Sequence, residues 1–241
     1  MKGRSPRILV GLAIVVLLVE IAYVFKKGGI DFLTRKLTAL VTSAPAKHEP
    51  SRYYYRKIEQ YDRLPAIENA VVLVGDSLTE EGRFAELLGS EKILNRGISG
   101  DTTFGVHKRL DALIRLKPYK IFLMIGSNDI EMKFSDAEII ANYTSILEKL
   151  RQELPQTTVY VQSILPGSPD LAPQLDNRAV MRLNLQIRNL AERFSCTYID
   201  LLPHLADASG NLEKSFTADG IHLTGEGYRK WSDQLSQYID K

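Results

Sequence analysis

Four short polar blocks hold the residues with chemistry to offer: Gly75-Asp76-Ser77-Leu78, Asn95-Arg96-Gly97-Ile98-Ser99-Gly100-Asp101-Thr102, Gly126-Ser127-Asn128-Asp129 and Asp219-Gly220-Ile221-His222. Together they supply a hydroxyl, backbone donors, a side-chain amide and an Asp/His pair. That is the inventory for acyl transfer through a serine nucleophile. Serine is a weak nucleophile and needs a base, and His222 can take the Ser77 proton. A carboxylate holds an imidazole in the required tautomer. Asp219 lies three residues before His222, so one short turn can bring the two side chains together. The tetrahedral intermediate carries an oxyanion, and its candidate donors are the N–H groups of Ser77 and Gly100 and the Asn128 side-chain amide.

Each block alone has an ordinary explanation. Ser77 suits a helix N-cap, or with Gly75 and Asp76 a phosphate cradle. Asn128 suits a turn, Asp219-Gly220 a tight turn, and Gly100 a positive φ. A lone His222 is more often structural. The joint occurrence, in workable order along the chain, favours the catalytic reading. Asp76 and Asp129 read as loop braces. His204, after Pro203, is the runner-up base, His107 reads as surface, and His48 falls in the stalk that precedes the body. Cys196 reads as core. Asn177 and Asn184 lie where a pocket wall could form, and the Pro166–Pro173 loop is placed to shape an acyl or leaving-group pocket.

The elements that must position these blocks alternate regularly. Apolar runs at 70–74, 92–95, 121–125, 157–161 and 196–199 suit strands buried on both faces. Helical patterns separate them. Ser135 and Glu138 form a capping box, followed by the stripe Ile139, Ile140, Tyr143, Ile146, Leu147, Leu150. Val180, Leu183, Ile187, Leu190 and Phe194 make a second stripe, and a last helix is predicted to begin near Thr224 and include Tyr228, Trp231 and Leu235. Such βα alternation implies an α/β fold, a parallel sheet with helices on both faces. Ligands then bind beyond the carboxyl ends of the strands, where the blocks fall.

The chain has 241 residues, 44% hydrophobic and 25% charged, a globular composition that excludes disorder and collagen-like repeats. A single cysteine excludes a disulfide scaffold. The net charge of +2 hides an asymmetry: residues 1–60 carry 11 Lys/Arg and 4 Asp/Glu, and the remainder 20 and 25. A body of acidic balance argues against nucleic acid as a partner. Ile8 to Phe25 is apolar except for Glu20 and is flanked by Lys2, Arg4, Arg7, Lys26 and Lys27. A cleaved signal peptide would need a small-x-small site that does not directly follow the run, and a buried core helix would be shorter and amphipathic. An uncleaved N-terminal transmembrane helix, a signal anchor, fits best. The expected organisation is a membrane anchor over 1–27, a juxtamembrane stalk over 28–60 and a catalytic body over 61–241, the body lying outside the cytoplasm. Tyr53, Tyr54 and Tyr55 suit a short helix packed on the body, or a membrane-surface contact.

The four blocks resemble those of the SGNH (GDSL) hydrolases, a serine esterase superfamily. The matching residues are Gly75-Asp76-Ser77-Leu78, Gly100, Gly126-x-Asn128-Asp129 and Asp219-x-x-His222. Gly100-Asp101-Thr102-Thr103 and His222-Leu223-Thr224-Gly225-x-Gly227-Tyr228 most resemble the platelet-activating-factor acetylhydrolase catalytic subunits and the bacterial GDSL esterase/lysophospholipases. The resemblance spans about 70–240 and omits the leader. It implies a three-layer α/β/α sandwich with a five-stranded parallel sheet in the flavodoxin-like order 2-1-3-4-5. It implies catalytic Ser77, Asp219 and His222, oxyanion donors at Ser77, Gly100 and Asn128, and neither metal nor cofactor. The expected activity is hydrolysis of small acyl esters, such as acetyl esters of glycans or lipid esters, through an acyl-enzyme. The alternatives are acyl transfer to a sugar and a catalytically silent ligand-binding module.

Overall fold

In the computed structural model, residues 49–239 are described. The Ile8–Phe25 segment expected to span a membrane lies outside them. Among the described residues no helix is long and apolar enough to cross a membrane.

Five strands, β1 (Val71–Gly75), β2 (Ile93–Gly97), β3 (Lys120–Met124), β4 (Thr158–Gln162) and β5 (Thr197–Ile199), form one sheet in the order β2-β1-β3-β4-β5. Every pairing is parallel. The sheet matches the expected one in number, direction and order. Alternation along each strand divides the core in two. Val72, Val74, Ile121 and Leu123 face one layer, where Leu110, Ile139, Tyr143, Leu183 and Ile187 cover them. Val71, Leu73, Phe122 and Met124 face the other, against Leu78, Phe84, Trp231 and Leu235. Burial on both faces explains why these strands read as continuous apolar runs.

The first layer contains the helices Thr103–Lys108, Leu110–Arg115, Asp136–Glu153 and Asn177–Arg193. Ser135 accepts from Glu138 N–H while the Glu138 carboxylate accepts from Ser135 N–H, the reciprocal box that sets the start of Asp136–Glu153. All members of its predicted stripe are buried except Ile140, which is partly covered. In the second layer, Thr224 caps the helix Gly225–Leu235, as predicted. Its Trp231 Nε1–H donates to the buried Gln162 Oε1 at 2.7 Å, and its Tyr228 hydroxyl donates to Leu78 O at 2.9 Å. The second bond holds the short Ser77–Glu81 helix from behind.

One further helix, α1 (Arg52–Asp62), lies within the segment 28–60 and extends past its end. Of the consecutive Tyr53, Tyr54 and Tyr55, Tyr54 is buried and donates to Gly105 O at 2.7 Å, the packing reading of that run. Tyr61 donates to Gly97 O at 2.6 Å.

Candidate active site

The strand order reverses between β1 and β3, the position at which an open α/β sheet leaves a crevice. The chain leaves β1 at Gly75, places Asp76 as N-cap and starts the helix α2 (Ser77–Glu81) at once, so Ser77 sits at the mouth of that crevice. This helix crosses close over β2. A Cβ on Gly97 would lie 2.2 Å from Glu80 N, so only glycine allows that approach. On either side, the loop after β2 carries Gly100 at φ +77°, and the short helix Ser127–Glu131 that follows β3 carries Asn128.

The loop before the last helix closes the arrangement. Asp219 Oδ1 accepts the backbone N–H groups of Ile221 at 3.0 Å and His222 at 2.8 Å. That turn aims Asp219 Oδ2 at His222 Nδ1, 2.6 Å away. The opposite ring nitrogen, Nε2, is 3.0 Å from Ser77 Oγ. A continuous line therefore joins carboxylate, imidazole and hydroxyl across 145 residues of sequence. The Asn128 amide donates one proton to Asp101 O at 2.9 Å, which fixes its plane and leaves its second N–H to offer. Among the described residues, neither the Ser77 nor the Gly100 N–H has a backbone acceptor. The structure thus brings Ser77, His222 and Asp219 together, flanked by the Gly100 loop and by Asn128 in the helix Ser127–Glu131. His204 is exposed on the short helix Leu202–Leu205.

Burial pulls the His222 pKa down, but the bond to Asp219 and the charges of Glu81, Asp219 and Asp76 outweigh it, so the ring titrates above its ordinary value. Burial also pushes Asp219 up, yet the bonds from His222 and the two backbone N–H groups hold it at about 2. Glu81 Oε1 lies 3.9 Å from His222 Nε2. Only neutral imidazole can accept the serine proton. The kcat/KM for ester hydrolysis should therefore rise with pH through a value above ~6.5, the ordinary histidine value. Glu81→Gln removes one of the charges that raise it. Its limb should move to lower pH with the plateau retained, and a limb that stays in place would contradict this.

Beneath the mouth lie buried carboxylates. Asp76 accepts from the Ser127 hydroxyl at 2.7 Å and from Leu78 N–H at 3.1 Å. Asp129 accepts from Thr103 N–H and from its hydroxyl. These bonds tie the turn after β1 to the turn after β3, and that turn to the start of the helix Thr103–Lys108, the bracing role expected of both. Burial raises Asp76 to about 6 and Asp129 to about 7, against the lowering effect of those bonds. Asp101 forms a buried ion pair with Arg109, Nε to Oδ2 at 2.8 Å. Asn184 and Asn177 clamp the backbone at Ile164 and Gly167, and Asn177 also lines a surface cavity together with Pro169 and Pro173. The Pro166–Pro173 loop reaches the Asp219 turn through Ser168 N–H to Gly220 O at 2.8 Å.

Several contributing residues carry no motif. Glu80 Oε2 accepts from the Ser99 N–H at 2.7 Å and hydroxyl at 2.6 Å, next to Gly100. Its Oε1 accepts from the Tyr53 hydroxyl at 2.5 Å and pairs with Lys57 at 2.8 Å. Helix α1 is thus wired to the loop that carries Gly100. Burial raises the Glu80 pKa, but Lys57, Ser99 and Tyr53 bring it down to about 2. Glu80→Gln keeps the size and loses the charge. It should lower kcat by roughly 2–10-fold, the range for one impaired hydrogen bond. Steady-state kinetics showing an unchanged kcat would remove Glu80 from this account.

A family model for GDSL-like lipase/acylhydrolase matches residues 73–230. The chain belongs to that family. Among solved structures, a Streptococcus pneumonia protein provisionally assigned as a platelet activating factor superposes with a TM-score of 0.71 at 28% identity, covering 77% of this chain and 92% of that one. A GDSL-like lipase from Bacteroides thetaiotaomicron superposes with a TM-score of 0.67 at 24% identity over 77% and 96%. A curated relative, the N-acylneuraminate cytidylyltransferase of Streptococcus agalactiae, is 22% identical over 195 residues. That match covers 81% of this chain, and the chain spans 44% of the relative's length. Within the GDSL-like lipase/acylhydrolase chain, the matched segment starts inside β1 and runs into the last helix, so all four polar blocks fall within it.

Proposed function

We propose that the chain is a serine esterase that hydrolyses acyl esters through an acyl-enzyme. The observation that carries this is the unbroken line Asp219–His222–Ser77, at 2.6 and 3.0 Å. Ser77 Oγ attacks the ester carbonyl as His222 Nε2 takes the hydroxyl proton, and Asp219 steadies the imidazolium. The carbonyl oxygen becomes an oxyanion within reach of the N–H groups of Ser77 and Gly100 and the Asn128 amide. As the intermediate collapses, the C–O bond to the alcohol breaks and His222 returns the proton to the leaving oxygen. Water then attacks the acyl-enzyme by the same route, releasing the carboxylic acid and Ser77.

The substrate class is a small or medium acyl ester, such as an acetylated glycan or a lipid ester. Glu81 and Asp219 beside His222 give the mouth a negative rim that disfavours anionic leaving groups. The apolar leader Ile8–Phe25 with its basic flanks supports an uncleaved anchor that places the body outside the cytoplasm. A panel of p-nitrophenyl esters of graded chain length, O-acetylated sugars and lysophospholipids tests the substrate class. The expected result is turnover favouring uncharged or zwitterionic alcohols, with a fluorophosphonate probe labelling Ser77. No turnover and no labelling would defeat the proposal.

A further inference from the structure

The Gly100 N–H belongs to a turn with two accessible forms. Asp101 N–H donates to Ile98 O at 3.0 Å, which closes a four-residue turn over Ile98–Asp101 with Gly100 in third place at φ +77°. That is the type II form. A Cβ on Gly100 would meet nothing within 4 Å, so the glycine serves the conformation and not the space. The central peptide of such a turn, here Ser99–Gly100, can point either way. Rotating it converts type II toward type I and reverses its N–H. A donor for an oxyanion is of use in one of these orientations and not in the other.

Helix α1 precedes the segment 73–230 that the family model matches, yet it grips this turn before and after. The Tyr61 hydroxyl donates to Gly97 O at 2.6 Å, one residue ahead of the turn. The Tyr53 hydroxyl and Lys57 Nζ hold Glu80 Oε1 at 2.5 and 2.8 Å. Glu80 Oε2 in turn accepts the Ser99 N–H at 2.7 Å and the Ser99 hydroxyl at 2.6 Å. Ser99 is thereby fixed at the start of the central peptide. Arg109 fixes Asp101 on its far side, at 2.8 Å. Tyr54 adds an anchor beyond the turn, at Gly105 O. A single helix from outside the matched segment thus brackets the turn at Gly97, Ser99 and Gly105.

We infer that α1 is a positioning element for the esterase reaction, its Tyr53, Lys57 and Tyr61 selecting the orientation of the Ser99–Gly100 peptide that presents the Gly100 N–H to the oxyanion. The inference rests on the esterase reading above. Tyr53→Phe and Tyr61→Phe test it in the full chain. Each removes one hydroxyl and keeps the ring, including the Tyr61 ring that Arg96 and Lys57 lie over. Each should lower kcat by roughly 2–10-fold and the pair by roughly 10-fold, the range for lost hydrogen bonds. The KM and the pH limb of His222 should stay in place. Affinity for an alkyl trifluoromethyl ketone should fall by the same factor as kcat, because its carbonyl oxygen becomes an oxyanion when Ser77 Oγ adds to the carbon and His222 takes the proton. Gly100→Ala disfavours the same turn form and should also lower kcat. Added to the tyrosine pair it should cost less than it does alone, since both act on one peptide. Arg63→Ala breaks only an exposed pair with Glu59 on the same helix and should change none of these values. Tyrosine variants with a lower melting temperature but an unchanged kcat, losses that multiply with Gly100→Ala, or an equal loss in Arg63→Ala would each overturn the inference while leaving the esterase reading intact. Absence of turnover in the unaltered chain would overturn that reading, and this inference with it.

Discussion

Ser77→Ala is expected to abolish ester hydrolysis, lowering kcat by roughly 10⁴–10⁶-fold, the scale for removing a serine nucleophile. Ser77 is partly exposed, and the described partner of its hydroxyl is His222 Nε2. The helix start does not depend on it, because Asp76 provides the cap to Leu78 N–H. The melting temperature should therefore match that of the unaltered chain. His222→Ala should cost a comparable factor, and the double variant should be little worse than either, because the two groups act as one unit. Undiminished hydrolysis of a p-nitrophenyl ester by well-folded Ser77→Ala would sink the nucleophile assignment and the mechanism with it.

Asn128→Ala should lower kcat by about 100–1,000-fold with a much smaller change in KM, the pattern for losing an oxyanion donor. The amide is held in place by its bond to Asp101 O, and Asp101 is itself locked to Arg109. The donor is thus preorganised rather than recruited. Asn128→Asp is the sharper variant. It keeps the shape, replaces a donor by an acceptor, and sets a negative charge where negative charge develops. Its kcat should fall below that of the alanine variant. Equal kcat values for the asparagine and alanine forms would mean that the oxyanion is held elsewhere.

What could be read in the chain, and what could not, follows the range of each interaction. The strands were legible because burial on both faces leaves no polar positions in Val71–Val74 or Ile121–Met124. The start of Asp136–Glu153 was legible because its cap is local, Ser135 to Glu138. The Asp219–His222 pair was legible for the same reason, a three-residue turn. Ser77 and His222 are 145 residues apart, and their pairing came from chemical inventory rather than spacing. The contacts of Glu80 with Tyr53, Lys57 and Ser99 had no such signal. A glutamate in a five-residue helix looks like solvent-facing charge until tertiary packing supplies its partners. Arg109 sits beside His107, in a run that reads as surface, yet it is 4% exposed because Asp101 folds over it.

The carboxylates under the mouth set up a proton account for the whole fold. Asp76 and Asp129 titrate at about 6 and about 7 when folded, against ~4 in an unfolded chain. Between those values the folded chain binds protons that the unfolded chain has released, so these two residues make stability fall as pH rises from ~4 toward neutrality. Asp219 and Glu80, both held at about 2, act oppositely, and their contribution is lost only as the medium becomes more acid than ~4. By these four groups the fold is firmest in mild acid, whereas His222 can serve as base only on the alkaline side of its raised pKa. A melting temperature that climbed between pH 5 and pH 8 would contradict this balance. The protein then turns over fastest on the alkaline side of the pH at which these carboxylates hold it most firmly, and the gap between the two optima is built into the carboxylates that brace the crevice.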